Sequence, residues 1–451
     1  MNSLTSPLKL SGHLLQIGAA VLAFFAPLGA APRGRQRQSN PQESPSMWFQ
    51  ARMPSATPTS LAALVAEARR DNPRILAARR AWQAAEQVPS QVSALPDPQF
   101  TVQQFSVGSP RPFAGFANSN FAYIGFGVSQ DFPYPGKLRL RGEAARRQAQ
   151  AYGDQVEVIR RQVIQQLQGD YYELAYFSQT LSLLRRDGKL LDQIEKIAEA
   201  RYRVGEGNQQ DVLKAQLERT ELLRMIVHHH EHMGQLEAAI KELLNRPPDS
   251  PDITPSALTE TPLPFTTDQL LRRARSDNPE VALQQNLVRR HSLQLELARK
   301  DFYPDFNLQY TYQRTGLEFR PYYVLTFGIK LPIWRSRKQR PKLAEAAEAL
   351  NSSERDYEAA TQQAYAGVEQ QYLAADAARK TLEIYRQGLI PQAQATFQAA
   401  LAAYETGRVD FESLLSSFLD VLNLNLEYWQ TLANREIAVA KIEQLTGISF
   451  P

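Results

Sequence analysis

His228, His229, His230 and His232 are the one cluster of metal-binding side chains in this 451-residue sequence. On a helix, His228 and His232 would share a face one turn apart, a spacing that can hold a divalent metal. Two imidazoles make only half a site. The nearest carboxylate, Glu231, falls on another face. The cluster therefore reads as polar helix surface, with no resident metal or other cofactor. Cysteine is absent, which removes disulfides, thiolate metal sites and a thiol nucleophile. There is no phosphate-binding glycine loop, no GxSxG and no HExxH. Gly205-Glu206-Gly207 is what a tight helix reversal needs. A net charge of +4 supplies no basic face for nucleic acid. The residues point away from an enzyme, so the elements themselves must carry the function.

Those elements occur twice. Ala68-Arg69-Arg70-Asp71-Asn72-Pro73 returns as Ala274-Arg275-Ser276-Asp277-Asn278-Pro279, and Leu95-Pro96-Asp97 as Tyr303-Pro304-Asp305. Phe126-Gly127-Val128 returns as Phe327-Gly328-Ile329, and Tyr202-Arg203-Val204-Gly205 as Tyr404-Glu405-Thr406-Gly407. A period of about 200 residues with conserved order marks a duplication. The first repeat spans 58–246 and the second 267–447, joined by a linker at 247–266. Six prolines between Arg246 and Thr267 forbid a continuous helix there. Before the repeats, Lys9, the apolar run Leu14 to Leu28 and the small residues Gly29-Ala30-Ala31 read as a signal peptide over 1–31. The run is shorter than the ~20 residues of a spanning helix. Residues 32–57, rich in Pro, Ser and Gln, read as flexible.

Each repeat reads helix, strand, strand, very long helix, shorter helix. In the second, Phe306, Leu308, Tyr310 and Tyr312 alternate with polar residues over a strand at about 305–313. Tyr323, Leu325, Phe327 and Ile329 form the apolar face of its partner, about 322–331. Period-two alternation of this kind suits a strand between lipid and a wet lumen, which makes these eight residues the lipid-facing candidates. Strands at about 99–107 and 121–131 correspond in the first repeat, although the alternation in the former is poor. After each hairpin, Lys137 to Val204 and Arg340 to Thr406 contain no turn cluster and could each span roughly 100 Å as helix. Leu174, Phe177, Leu181, Leu184, Leu191 and Ala198 form one heptad stripe. Tyr176, Leu183, Leu190, Ile197 and Val204 form a second. Two seams mean a neighbour on each side, as in a wall of helices. The shorter helices, stacked end to end, would match one long helix.

Four strands cannot close a membrane barrel, whose smallest known form has eight. Unpaired strand edges cost several kcal/mol per group in hydrocarbon, so several chains must pool their strands. The count of chains does not follow from physics.

With its duplicated hairpins and tip motifs, the chain resembles the TolC family of outer-membrane efflux proteins over nearly all of its length. The motifs are Tyr202-Arg203-Val204-Gly205 with Asp211-Val212-Leu213, and Tyr404-Glu405-Thr406-Gly407 with Leu414-Leu415. Ser129 to Lys137 and Pro391-Gln392-Ala393 are similar to the CzcC-like heavy-metal-efflux branch. The resemblance implies a mainly α protein with a membrane β-barrel. Its homotrimer would form a 12-stranded barrel plus a periplasmic α-helical tunnel, placed in the outer membrane and its lipid. It implies a passive duct in a tripartite efflux system, fed by a periplasmic adaptor and an inner-membrane pump of the RND type. Helical tips at 205–208 and 407–409 would meet the adaptor through Val204, Gly205, Gly207 and Gly407. Asp211 and Tyr404 match the family's entrance residues. At Ser413, Ser416 and Val409 the sequence departs from the family's acidic ring and gating Arg, leaving Arg408, Asp410 and Glu412 as gate candidates. A ring of acids would favour cations, metal ions among them.

Two further features invite opposed readings. Lys137, Arg139 and Arg141 follow the first hairpin, and Arg335, Arg337, Lys338 and Arg340 the second. They suit lipid headgroups or a lumen lining, or plain solvation. Pro391 reads as a fixed kink, with a pivot as the alternative. Two rival functions also stand. A type I protein-secretion duct would share the fold. A periplasmic coiled-coil adaptor would lack the aromatic strand hairpins.

Overall fold

The structure, a computed structural model, describes residues 58–108, 121–315 and 320–450. The signal-peptide reading and the segment 32–57 lie outside the described residues.

The first repeat opens with three helices, α1 (Leu61–Asp71), α2 (Pro73–Ala85) and α3 (Val88–Ser93). The sequence predicts helix from about Thr59 to Ala94 with a break or kink at Asp71-Asn72-Pro73; the structure breaks there and again before Val88, each time with a proline in the first turn of the next helix. Strands β1 (Gln99–Phe105) and β2 (Tyr123–Phe132) follow, then α4 (Lys137–Arg203) and α5 (Gln209–Leu243). The second repeat runs α6 (Thr267–Asp277), α7 (Pro279–Lys300), β3 (Asp305–Arg314), β4 (Tyr322–Lys330), α8 (Arg340–Ile384), α9 (Ile390–Glu405) and α10 (Phe411–Thr446). A π-helical turn, Arg335–Gln339, leads into α8, and a second, Tyr385–Leu389, joins α8 to α9. The second long helix is thus interrupted where the sequence reads as continuous.

α4 has 67 residues, roughly 100 Å at helical rise. Both of its stripes find neighbours. Leu174, Leu181, Leu184, Leu191 and Ala198 are buried, and so is Leu183 of the other stripe. α5 and α7 pack along α4, as does α10.

The two hairpins are not separate. β2 pairs antiparallel with β3, giving one sheet in the order β1-β2-β3-β4. The helices repeat that order, with α3 against α4, α4 against α7 and α7 against α8. Each helical column therefore continues one strand. Among the described residues the series ends in unpaired edges, β1 on one side and β4 on the other.

The shorter helices join end to end through the duplicated asparagines. Asn72 Oδ1 accepts from the backbone N–H groups of Arg74 and Ile75, capping α2. Its Nδ2 donates to Leu243 O at the end of α5, 2.8 Å away. Asn278 caps α7 in the same way and donates to Leu445 O at 3.1 Å, near the end of α10. The core gathers at these junctions. Leu64, Ile75, Val163, Leu167, Ile240 and Leu243 bury one of them. Leu270, Ala274, Val368 and Ile442 bury the other.

Lys137 corrects one expectation. Neither lipid nor open water receives it: its side chain is 4% exposed, with Nζ 2.9 Å from Asp305 and 3.4 Å from Asp301. The Asp305 carboxylate also accepts from Tyr134 N at 2.7 Å. The cation is a strut between the start of α4 and the start of β3. Arg139 stays in water, paired with Glu143.

Candidate functional site

One face of the sheet is mainly apolar across all four strands, broken by Gln104, Gln130 and Arg314. Cross-strand partners match Phe306 with Ile329, Leu308 with Phe327, Tyr310 with Leu325, and Tyr312 with Tyr323. The face continues through Phe126, Val128 and Phe132 of β2 to Phe100 and Val102 of β1. Leu308, Tyr310, Tyr323, Leu325, Phe327 and Ile329 are exposed, and Phe306 and Tyr312 half-buried. An exposed apolar patch of this extent in a folded chain marks an interaction surface. Strand β1, poorly patterned in sequence, puts Phe100 and Val102 on this face; Gln104 on this face and Phe105 on the other both break the alternation.

The opposite face carries Thr101, Gln103, Ser129, Asn307, Gln309, Thr311 and Gln313, together with glycines, and gains Phe105, Tyr123, Tyr322 and Val324 toward the hairpin loops. At Gly127 the strands come too close for a side chain. A Cβ there would lie 2.7 Å from Thr101 Oγ1 and 3.1 Å from Thr311 Oγ1. One side suits hydrocarbon and the other water, which is the arrangement of a strand wall around an aqueous lumen. Among the described residues no helix is long and apolar enough to cross a membrane.

The far ends of the helices form two tips. Gly205 and Gly407 both hold positive φ, 77° and 71°, which a side chain would strain. Glu206 N then donates to Arg201 O, and Arg408 N to Ala403 O, closing both helix ends alike. Val204, Gly205 and Gly407 are exposed at these tips, with Gly207 half-buried.

The gate candidates fall into different settings. Tyr404 is buried, its ring against Phe411 at 5.7 Å and beneath the Arg201 guanidinium at 4.9 Å. Its hydroxyl has no hydrogen-bond partner among the described residues. Burial, seconded by the nearby Asp211 carboxylate, raises its pKa. Arg201 also donates to the carbonyls of Tyr404 and Glu206, bridging the two tips. Asp410 caps α10 through Ser413 N at 2.9 Å, and Glu412 pairs with Lys214 of α5. Arg408 is exposed. Asp211 is half-buried and forms no ion pair among the described residues, so of the three candidate acids it alone is uncommitted there. The sequence reading missed Arg201 and Lys214. Their only signal is that both are cations flanking the first tip, Arg201 four residues before Gly205 and Lys214 six after Asn208.

His229 and His232 pack against Phe177, while His228 and His230 stay exposed on the helix surface. His232 stacks on Phe177 with ring centroids 5.0 Å apart, and His230 Nε2 lies 3.0 Å from Arg185. His229 is buried against Phe177 rather than on the surface; its Nδ1 meets Met225 O, and burial lowers its pKa. No group of three or more His, Cys, Asp or Glu is placed to hold a metal among the described residues. Pro391 follows the π-helical turn, which is braced by Arg386–Glu260 and by the Tyr385 hydroxyl on Glu427.

Solved structures share this architecture. One reported as CusC, in work on folding and transmembrane channel formation, superposes with a TM-score of 0.74 at 17% identity, covering 89% of this chain and 96% of that one. VceC from Vibrio cholerae gives 0.74 at 17%, with 87% and 97% covered. The Campylobacter jejuni CmeC outer membrane channel gives 0.72 at 14%, with 92% and 94% covered. No curated protein sequence matches significantly. The family model described as outer membrane efflux protein matches residues 64–245 and 270–448, one segment for each structural repeat. Duplicated helical columns, a sheet with one lipid-compatible face, and this match over most of the length lead to one conclusion: the chain belongs to the outer membrane efflux protein family, whose members are outer-membrane channels with a periplasmic helical tunnel.

Proposed function

We propose that three copies of this chain close into a passive duct, the outer-membrane component of a tripartite efflux system. The carrying observation is the pair of unpaired edges, β1 and β4, on a four-stranded sheet whose apolar face is exposed. Backbone groups left open in hydrocarbon are too costly to persist, and β4 of one copy meeting β1 of the next satisfies both rows. A head-to-tail contact that closes on itself forms a ring. The helical edges carry matching apolar side chains: Leu213, Leu217 and Val227 on α5, and Leu373 and Ile384 on α8, are all exposed.

In this reading the tips are the periplasmic entrance, and an adaptor engages Val204, Gly205, Gly207 and Gly407. Arg201 on Tyr404 and Lys214 on Glu412 hold the two tips of one chain together, so loosening them widens the bore. An inner-membrane pump supplies the energy and selects the cargo. One uncommitted carboxylate per chain, Asp211, would give a ring of three at the entrance. A preference for cations would arise there.

Conductance across planar bilayers tests the proposal. The purified protein should give discrete steps, enlarged several-fold in Arg201→Ala with Lys214→Ala. Absence of any steps from inserted protein, unlatched variant included, contradicts a duct.

A further inference from the structure

The two strand-to-helix junctions of this duplicated chain have diverged. In the first, the leading cation Lys137 is buried between Asp301 and Asp305. In the second, Leu331-Pro332-Ile333-Trp334-Arg335-Ser336-Arg337-Lys338 replaces that strut with an exposed strip. Leu331, Ile333 and Trp334 are 64%, 70% and 65% exposed. Beyond Lys330 the strand ends and Ile333 N donates to Leu331 O at 3.0 Å across Pro332, so Leu331, Ile333 and Trp334 form an exposed apolar knot at the end of β4. The chain then enters the π-helical turn Arg335–Gln339. Trp334 O accepts from Arg337 N at 3.1 Å and Lys338 N at 2.9 Å, which stacks both cations one turn beyond the indole. Among the described residues, Arg335, Arg337, Lys338 and Arg340 have no carboxylate partner, since Asp301 is taken by Lys137 and Lys342, and Asp131 by Lys330.

We infer that this strip binds the headgroups of anionic phospholipids in the periplasm-facing leaflet. An indole at the end of a lipid-compatible face, followed within one turn by unpaired cations, places apolar and positive groups at successive depths. An anionic phospholipid offers acyl chain and phosphate in that same order. At the other junction Lys137 is buried in ion pairs and Arg139 pairs with Glu143, so Arg141 alone among these three cations stays unpaired among the described residues, with no indole beside it. The inference rests on the apolar face lying in lipid.

The test uses the full mature protein purified in mild detergent and in vesicles. Phosphatidylglycerol retained through purification is compared between the parent and R335Q/R337Q/K338Q. The control is R74Q/R79Q/R80Q, which removes three exposed arginines of α2. Loss of at least about tenfold in phosphatidylglycerol preference, for the junction variant only, is the expected result. Equal retention in both variants overturns the inference, as does full displacement of the lipid by excess glycerol 1-phosphate, which would mark a site for free anions. Insertion into neutral phosphatidylcholine vesicles separates the two levels. Normal insertion of the junction variant alongside lost phosphatidylglycerol supports the anchor. Failure of the parent itself to insert overturns the membrane reading, and the anchor falls with it.

Discussion

The side chain of Asn72 binds the last turn of a helix that lies 171 positions further along the chain: its amide donates to Leu243 O while its carbonyl caps α2. Asn278 repeats the arrangement with Leu445. One residue thus satisfies a helix start and a helix end that face each other, both of which carry orphan backbone groups. Asn72→Ala should cost about 2 kcal/mol, the sum of a lost cap and a buried carbonyl left open. Thermal melting followed by helical circular dichroism should show a drop of a few degrees. Arg74→Ala, on the exposed surface beside it, should show almost none.

Lys137 supports a second prediction. Replacing it with Met leaves Asp305 with only the Tyr134 N–H as partner at the base of the sheet. The loss should be about 2–3 kcal/mol, less than for a fully buried pair because Asp305 keeps some contact with water. Lys137→Met with Asp305→Asn should recover part of it. Urea midpoints of the detergent-solubilised protein measure both.

Gly127 is the tightest point of the sheet. Gly127→Val should prevent β2 from sitting between Thr101 and Thr311 and should abolish membrane insertion. Gly125→Ala is tight only against the flexible Gln313 Cγ at 3.2 Å, with Tyr312 O and Gln103 Cβ at ordinary contact distances of 3.4 and 3.7 Å, and should be tolerated. The fraction of protein in the outer-membrane pellet distinguishes the two.

Asp170 on α4 carries a pKa pushed up to about 6, by burial first and then by the nearby carboxylates of Glu173 and Glu242. A carboxyl whose folded pKa lies above its unfolded value binds its proton more tightly when folded. Stability therefore falls as pH rises from about 4 to about 6 and is flat beyond. Asp170→Asn should remove this slope and raise stability at pH 7 by on the order of 1 kcal/mol, allowing for screening at a half-exposed site. Melting temperatures of the two proteins should converge near pH 4.

Much of this architecture is legible in the chain because its causes are periodic. Strands β3 and β4 declare themselves by alternation, and α4 by two heptad stripes. The Asp-Asn-Pro motif is visible as a repeat, yet its second role is not, because the partner carbonyls of Leu243 and Leu445 are distant in sequence. Lys137 and Arg335 look alike as letters. Only the arrival of Asp301 and Asp305 beside one of them makes it internal. At the tips, Asp410 and Glu412 read as free acids until Ser413 N and Lys214 are seen to hold them. His229 is lost to packing in the same way, since the Phe177 that covers it sits on another helix.

In the proposed duct the edges of β1 and β4 would be satisfied by further copies of the chain. The mass of the mature protein, extracted from membranes in mild detergent and measured by native mass spectrometry, tests this most directly. A single species of three chains, persisting on dilution, is the predicted result. A monomer, or a protein recovered in the aqueous fraction without detergent, would contradict it.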